Sequence, residues 1–336
     1  MHKTVPRVLL TGGMGYIGSH TAVVLAKAGQ QVVLYDNLCN SKRSVFDRLE
    51  KIAGPRFSFI EGDVRDSTKL KNILTSYQIN AVFHFAGLKA VAESVEKPIE
   101  YYDNNVNGTI SVLKAMCSTN VKTLVFSSSA TVYGEPQYLP LDEKHPTNAT
   151  SPYGRSKLQV EEILADTAKS DANWRIACLR YFNPVGAHKS GLIGEAPNDI
   201  PNNLMPYIVQ VASGERPRLN IFGNDYNTKD GTGVRDYIHV MNLAEGHKAA
   251  LVFLGQNTGW HAINLGTGTG HTVLEMVQAF KGVSGQNVPY QIVKRRAGDV
   301  AIYYAKVDKA HKQLSWQAEH SLEEMCASTW NFYLTR

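Results

Sequence analysis

Three groups of residues carry chemistry by their type and spacing. The first is Thr11-Gly12-Gly13-Met14-Gly15-Tyr16-Ile17-Gly18, where glycines 12, 15 and 18 read GxxGxxG and 13, 15 and 18 also satisfy GxGxxG. Such a turn lets a pyrophosphate approach the backbone, with the N–H groups and positive dipole end of a helix facing it. A glycine-rich stretch alone is equally a plain turn. Its context lifts it: strand-like Val8–Leu10 precedes it, helix-like 18–28 follows, and Asp36 comes eighteen residues after Gly18. A carboxylate there accepts from adenosine ribose hydroxyls and repels a 2′-phosphate, so the cofactor expected is NAD. Nearby Lys42 and Arg43 keep an NADP reading open, and Asp63 suits an adenine amino group as well as it suits an ordinary turn.

The second group is Tyr153-Gly-Arg-Ser-Lys157, a phenol and an ammonium on one helix face about 6 Å apart in rise. A free tyrosine titrates near 10, so a phenolate at neutral pH costs roughly 4 kcal/mol. A lysine cation and a positive nicotinamide ring both favour the phenolate, giving an acid/base for an alcohol or carbonyl. The same spacing is common on solvated helices and gains weight only beside the glycine turn. The third group is Ser127-Ser128-Ser129, at the carboxyl end of a strand, where open α/β sheets bind ligands. Alternatively, small hydroxyls simply finish that strand, and one or two of the three at most can face a site.

These residues need a scaffold that brings strand ends together. Short apolar runs at 8–10, 32–35, 57–60, 81–85, 124–126 and 176–179 alternate with amphipathic stretches at 18–28, 67–77, 105–118 and 153–169. That is the pattern of an α/β, Rossmann-like, doubly wound parallel sheet. After about residue 183, prolines and glycines break the chain into loop-rich α+β sequence, with helices expected at 204–213, 240–254 and 273–280. The expected division is 1–182 for a nucleotide-binding domain and 183–336 for a smaller substrate-binding one, with a segment near 240–270 packing back on the first.

Composition narrows the function. The 336 residues are 43% hydrophobic and 19% charged, and no apolar run approaches the roughly 18–20 residues that cross a bilayer. A net charge of +5 without a block of basic residues is no nucleic-acid footprint. Cys39, Cys117, Cys178 and Cys326 stand far apart with no CxxC pair, which argues against a structural metal and suits a reducing, cytoplasmic compartment.

In this order the residues resemble the extended short-chain dehydrogenase/reductase family, most closely its members that interconvert UDP-glucose and UDP-galactose. The resemblance runs from Val8 to about Trp330, through segments 11–20, 36–44, 84–90, 101–108, 126–134, 180–188, 200–208 and 231–241. It implies Tyr153 as catalytic acid/base, Lys157 as its activator and a nicotinamide-ribose ligand, and Ser129 as hydroxyl partner. Cofactor contacts implied are Gly12, Gly15, Tyr16, Ile17, Gly18, Asp36, Asn37, Leu38, Cys39, Asn40, Ser41, Asp63, Val64, Phe85, Ala86, Gly87, Leu88, Lys89, Asn104 and Phe182. The UDP-sugar side would use Asn183, Asn203, Leu204, Phe222, Arg235, Tyr237, Arg296, Asp299 and Tyr303. Arginines suit a diphosphate, and amides with aromatic surface suit uridine; core packing or salt bridging explains each of these residues in isolation.

The resemblance implies C4 epimerisation through a transient 4-keto sugar, with NAD regenerated each turn. Two rivals stand beside it. A 4,6-dehydratase of the same family usually carries an acidic pair just after the serine or threonine; Ala130 and Thr131 stand there instead. A non-catalytic NAD-sensing module would not need Tyr153 and Lys157. Tyr303 would crowd the sugar's C2 substituent and disfavour N-acetylated substrates. The resemblance also implies a homodimer sealed by helices 105–118 and 153–169, whose Ile110, Val112, Leu113, Leu158, Val160, Ile163 and Leu164 could equally all face the sheet.

Overall fold

A computed structural model describes residues 6–197, 201, 203–296 and 298–336; Ile200, the first residue of one resembling segment, lies outside them. The first six strands are β1 (Arg7–Thr11), β2 (Gln31–Asp36), β3 (Phe57–Glu61), β4 (Ala81–His84), β5 (Thr123–Ser129) and β6 (Arg175–Tyr181). Three follow: β7 (Asn183–Val185), β8 (Leu219–Phe222) and β9 (Val234–His239); β10 (Gly259–Leu265) then returns to the first six. The main sheet runs β10-β6-β5-β4-β1-β2-β3, and every pairing in it is parallel. Order reverses between β1 and β4, which opens a crevice at their carboxyl ends.

The strands are Val-, Leu- and Phe-rich because helices cover both faces. On the amino half these are α1 (Tyr16–Lys27), α2 (Ser44–Ala53), α3 (Ser67–Ser76), the short α4 (Val91–Glu96) and α5 (Pro98–Tyr102), α6 (Gly108–Thr119) and α7 (Pro152–Ser170). A π-helical turn at Asp103–Asn107 leads into α6, so the helix expected at 105–118 begins as a bulge. Val112, Leu113, Val160 and Leu164 are buried against the sheet; they face the core rather than solvent.

The later elements are α8 (Leu204–Ala212), α9 (Val240–Leu254), β11 (Gly270–Thr272), α10 (Val273–Ser284), β12 (Tyr290–Val293), β13 (Ile302–Tyr303), α11 (Asp308–Leu314) and α12 (Leu322–Thr335). Strand β9 centres a small sheet with β7, β11 and β13, while β8 pairs β12. A second core forms among α8, α10 and α12 around Ile208, Met276, Phe280 and Cys326. Helix α9 instead packs on α1. Its Leu243, Ala250 and Leu254 join Leu10, Leu25 and Leu34 in one apolar cluster, with Trp316 closing it. The chain therefore leaves the main sheet after β6 and returns to it at α9 and β10.

Candidate active site

The glycine turn follows from close packing. Gly12 has φ +67° and lies against the backbone of Phe85 and Ala86, so a side chain there would strike β4's continuation. A Cβ on Gly18 would collide with the Gly12 carbonyl, which is how α1 comes close to β1. Gly15 is different: a Cβ there would meet only the Gly12 carbonyl oxygen, 3.3 Å away. The protein's own packing barely demands glycine at that helix start. A ligand approaching the first amides of α1 does, and the cradle fits a pyrophosphate.

Asp36 ends β2 and is buried. Its carboxylate accepts from the backbone N–H of Met14 (3.0 Å) and Leu38 (2.9 Å) and from the Ser41 hydroxyl (3.0 Å). Three of its roughly four acceptor sites thus stitch the glycine turn to the loop after β2, leaving capacity for a ribose hydroxyl. Asn37 turns its own loop by accepting from Cys39 N–H and donates to Asp63 (3.3 Å). Asp63 is gripped by Arg65, which holds its carboxyl down at about 2. Val64 is buried against α6. The Arg43 guanidinium lies over Phe46 and Phe59, 4.7 and 4.6 Å from the ring centroids, and so is committed to their faces.

Past β4, Phe85 and Ala86 both donate backbone N–H to the Thr11 carbonyl. Asn105, next to the expected cofactor contact Asn104, organises this loop. Its amide accepts from Leu88 N–H (2.8 Å) and donates to the Leu88 carbonyl (3.0 Å) and to Ser156 on α7 (3.0 Å). Neighbouring asparagines are indistinguishable by sequence pattern; burial separates them. Lys89 pairs with Glu195 (3.1 Å), which also accepts from Asn203 (2.6 Å). Glu195 therefore joins a residue expected at the cofactor to one expected at the sugar nucleotide.

Helix α7 starts with Ser151 as its cap, accepting from Gly154 N–H, and Pro152 at its first turn. That places Tyr153 at the helix entrance and Lys157 one turn inside. Lys157 is buried, donates to the Ser127 carbonyl (2.7 Å) and lies 4.8 Å from the centre of the Phe126 ring. Burial lowers its pKa to about 8, so it remains an ammonium at neutral pH. Burial raises the Tyr153 phenol, and a hydrogen bond from Ser129 pulls it down by less. The protein alone therefore keeps this phenol protonated near pH 7, and added positive charge is needed to free its proton.

Strand alternation decides among the three serines. Ser128 points to one face and donates to Glu161, whereas Ser127 and Ser129 belong to the other. Ser129 accepts from both the N–H (3.2 Å) and the hydroxyl (2.9 Å) of Thr131. Its own hydrogen is thereby left for another partner, and Tyr153 is its neighbour. Ala130 is buried and Thr131 is spent on Ser129; neither is an acid or base.

The later part of the chain also meets these residues through Tyr16 and Tyr303. Tyr16 donates to the Gly186 carbonyl (2.6 Å) beyond β7, and Ile17 packs into the main core. Tyr303 donates to the Ala130 carbonyl (2.6 Å) and lies 5.9 Å from the ring of buried Phe182. Tyr303 is also the register partner of Arg235 on β9. Arg235 binds Asp299 (2.5 Å), Arg296 approaches the same carboxylate (3.6 Å), and Arg296 covers Phe222 at 4.4 Å. Buried Tyr237 pairs in register with Asn183, and Leu204 opens α8 right after Asn203. A path thus runs from two arginines, past Tyr303, to Ser129 and Tyr153. Phe222, Arg296 and Asp299 stand together at the far end of that path.

Comparison with known proteins bears on this geometry. The family model for GDP-mannose 4,6 dehydratase matches residues 9–329. The UDP-glucose 4-epimerase of Bacillus subtilis (strain 168) is 54% identical over 325 residues, 97% of this chain and 96% of the relative. The chain belongs to the UDP-glucose 4-epimerase family. A solved UDP-glucose-4-epimerase from Stenotrophomonas maltophila, with bound NAD and formylated UDP-arabinopyranose, superposes with a TM-score of 0.97 at 50% identity, covering 98% of each chain. That of Bifidobacterium longum, in complex with NAD+ and UDP, gives 0.94 at 49% identity, again covering 98% of each chain. The fold is therefore the family's over 98% of the chain, with the Rossmann-like sheet as its larger part. Among the described residues no helix is long and apolar enough to cross a membrane, and no cluster of His, Cys, Asp and Glu could hold a metal.

Proposed function

We propose that this protein interconverts UDP-glucose and UDP-galactose, inverting C4 with tightly held NAD. The carrying observation is the convergence of Tyr153, Ser129 and Lys157 at the carboxyl ends of β4 and β5, on the same edge as the glycine turn. NAD, when bound, supplies the oxidant that takes hydride from C4 and the reductant that returns it. The residues of this chain handle everything else.

The amides at the start of α1 hold the pyrophosphate and Asp36 holds the adenosine ribose. Lys157, with hydrogens beyond the one given to Ser127, reaches the nicotinamide ribose and sustains negative charge on Tyr153. Tyr153 takes the proton of the 4-hydroxyl and later returns it to that same oxygen, after the ketone has turned its opposite face to the cofactor. Ser129 donates to the sugar oxygen while this happens. Arg235 and Arg296 clamp the diphosphate as charge-assisted forks, and Asn183, Asn203, Leu204, Phe222 and Tyr237 fix the uridine and ribose. Holding UDP firmly at that far end leaves the sugar free to present either face. Tyr303, over the Ser129 end, crowds a C2 substituent, so the non-acetylated pair is preferred.

The close relatives with NAD in their structures and the Asp36 network support NAD over NADP. Ala130 and Thr131 disfavour the dehydratase reading, which lacks its acid and base. We further propose a homodimer working in the cytoplasm. Val91, Val95 and Ile99 are exposed, the last at 82%, on α4 and α5 beside α7, and such a strip suits a partner copy; a monomer in sedimentation would contradict it. The test of the activity is Tyr153→Phe. It should retain NAD yet lose at least about a hundredfold in turnover of UDP-galactose. Unchanged turnover would refute Tyr153 as the acid/base, whereas no turnover by unmodified protein that holds NAD would leave the NAD-sensing module standing.

A further inference from the structure

Beneath the reacting residues lies an ion pair that the mechanism does not use. Glu161, on α7 one turn beyond Lys157, is 2% exposed in its side chain, and Arg180 on β6 is 4% exposed. Arg180 Nε donates to Oε1 at 3.0 Å and Nη2 donates to Oε2 at 2.6 Å, a bidentate fork. Ser128, whose register partner on β6 is Arg180 itself, donates to Oε1 as well. One carboxylate thus ties α7 to the ends of both β5 and β6. The residue before Ser128 gives its carbonyl to Lys157, and the residue after it faces Tyr153. The remaining Arg180 nitrogen, Nη1, is buried without a hydrogen-bond partner, and the guanidinium lies 4.8 Å from the Tyr133 ring centre.

Burying two charges is costly, and a well-packed apolar pair of similar volume is often as stable. Stability is therefore a weak reason for this pair. Its placement gives a better one. We propose, building on the epimerase reading, that Glu161 is a positioning residue. It locks α7 in register over β5, and it supplies the buried negative charge that the Lys157 ammonium lacks around it. The groups facing Lys157 are Cys178 from β6, His84 from β4, and Glu161 with its partner Arg180. The burial of His84 keeps it neutral near pH 7, with its pKa at about 3. Burial likewise keeps the Cys178 thiol protonated. Among these described groups, only Glu161 brings a nearby negative charge.

The experiment follows the Lys157 side-chain carbon resonance with pH in protein labelled with 13C-lysine, prepared as purified, the peak assigned by its loss in Lys157→Met. Glu161→Gln keeps the shape and an acceptor for Ser128 but removes the charge. Its Lys157 midpoint should fall, and kcat for UDP-galactose at pH 8 should drop at least about tenfold with KM within about threefold. Arg180→Gln should move the midpoint the other way. If unpaired Arg180 prevents Glu161→Gln from folding, the double variant Glu161→Gln/Arg180→Gln carries the test, and its midpoint must still lie below that of the unmodified protein. An unmoved midpoint, or single variants that lose activity only in step with melting temperature, would reduce the pair to structure and overturn the proposal. The resonance is read without turnover, so a failure of the epimerase reading itself would show separately, as inactive unmodified protein.

Discussion

Tyr303 shows how one side chain can set substrate breadth. Its hydroxyl is fixed on the Ala130 carbonyl and its ring on Phe182, so it cannot swing aside without losing a buried hydrogen bond worth about 1 kcal/mol. Tyr303→Ser should therefore open room beside the sugar's C2. We expect the ratio of kcat/KM for UDP-N-acetylgalactosamine over UDP-galactose to rise at least about tenfold, since a removed steric block of this size is worth about 1–3 kcal/mol. Comparing both substrates with the purified variant checks this; an unchanged ratio would show that Tyr303 only packs. At this scale the sequence was legible where residue type and spacing coincide, as in Tyr153, Lys157 and the glycines. It was mute on Asn105, Glu161 and Glu195, which act by hydrogen-bonding other residues, and it read Thr131 only as no acid or base. A glutamate on a helix reads as solvated from sequence, and only the arrival of Arg180 from a strand nineteen positions away shows it to be buried.

At the scale of elements, the glycine turn separates two roles that the GxxGxxG pattern merges. Gly18 serves contact between α1 and the turn, whereas Gly15 leaves space in front of the helix start. Gly15→Ala should keep its fold, with a melting temperature within a few degrees of the parent, because a Cβ there meets only one atom at 3.3 Å. Its bound NAD per chain, measured by mass after desalting, should fall. Gly18→Ala should lose both stability and cofactor. Equal effects of the two would contradict this division. The alternation of strands and helices was readable because buried parallel strands are short apolar runs. The π-helical turn at Asp103–Asn107 was not, since an i→i+5 bulge leaves the apolar spacing of a helix nearly intact.

For the whole molecule, the return of α9 and β10 to the main sheet knits both halves of the chain into one core. Nothing local in Gly-Trp-His-Ala-Ile-Asn-Leu names β6 as its neighbour; that pairing is a product of the tertiary fold. The shared core encloses histidines that must stay neutral. Burial holds His20 and His247 at about 4, and His84 and His239 at about 3, all below the ordinary 6.5. The unfolded chain takes these protons near 6.5 while the folded chain refuses them. Stability is thus fully present above about 6.5 and is lost as pH falls toward 4. Urea midpoints should be level from pH 7 to 8 and decline steeply between 6.5 and 4.5. A flat profile through that window would mean these rings are solvated or ion-paired.

The central claim is that the hydrogen removed from C4 returns to the same carbon from a cofactor that never leaves. The most direct measurement incubates the protein as purified, with no NAD added, in ordinary water with UDP-galactose deuterated at C4. The account predicts UDP-glucose carrying its deuterium at C4. UDP-glucose with that label exchanged for solvent hydrogen, or no UDP-glucose from protein shown to hold NAD, would contradict it.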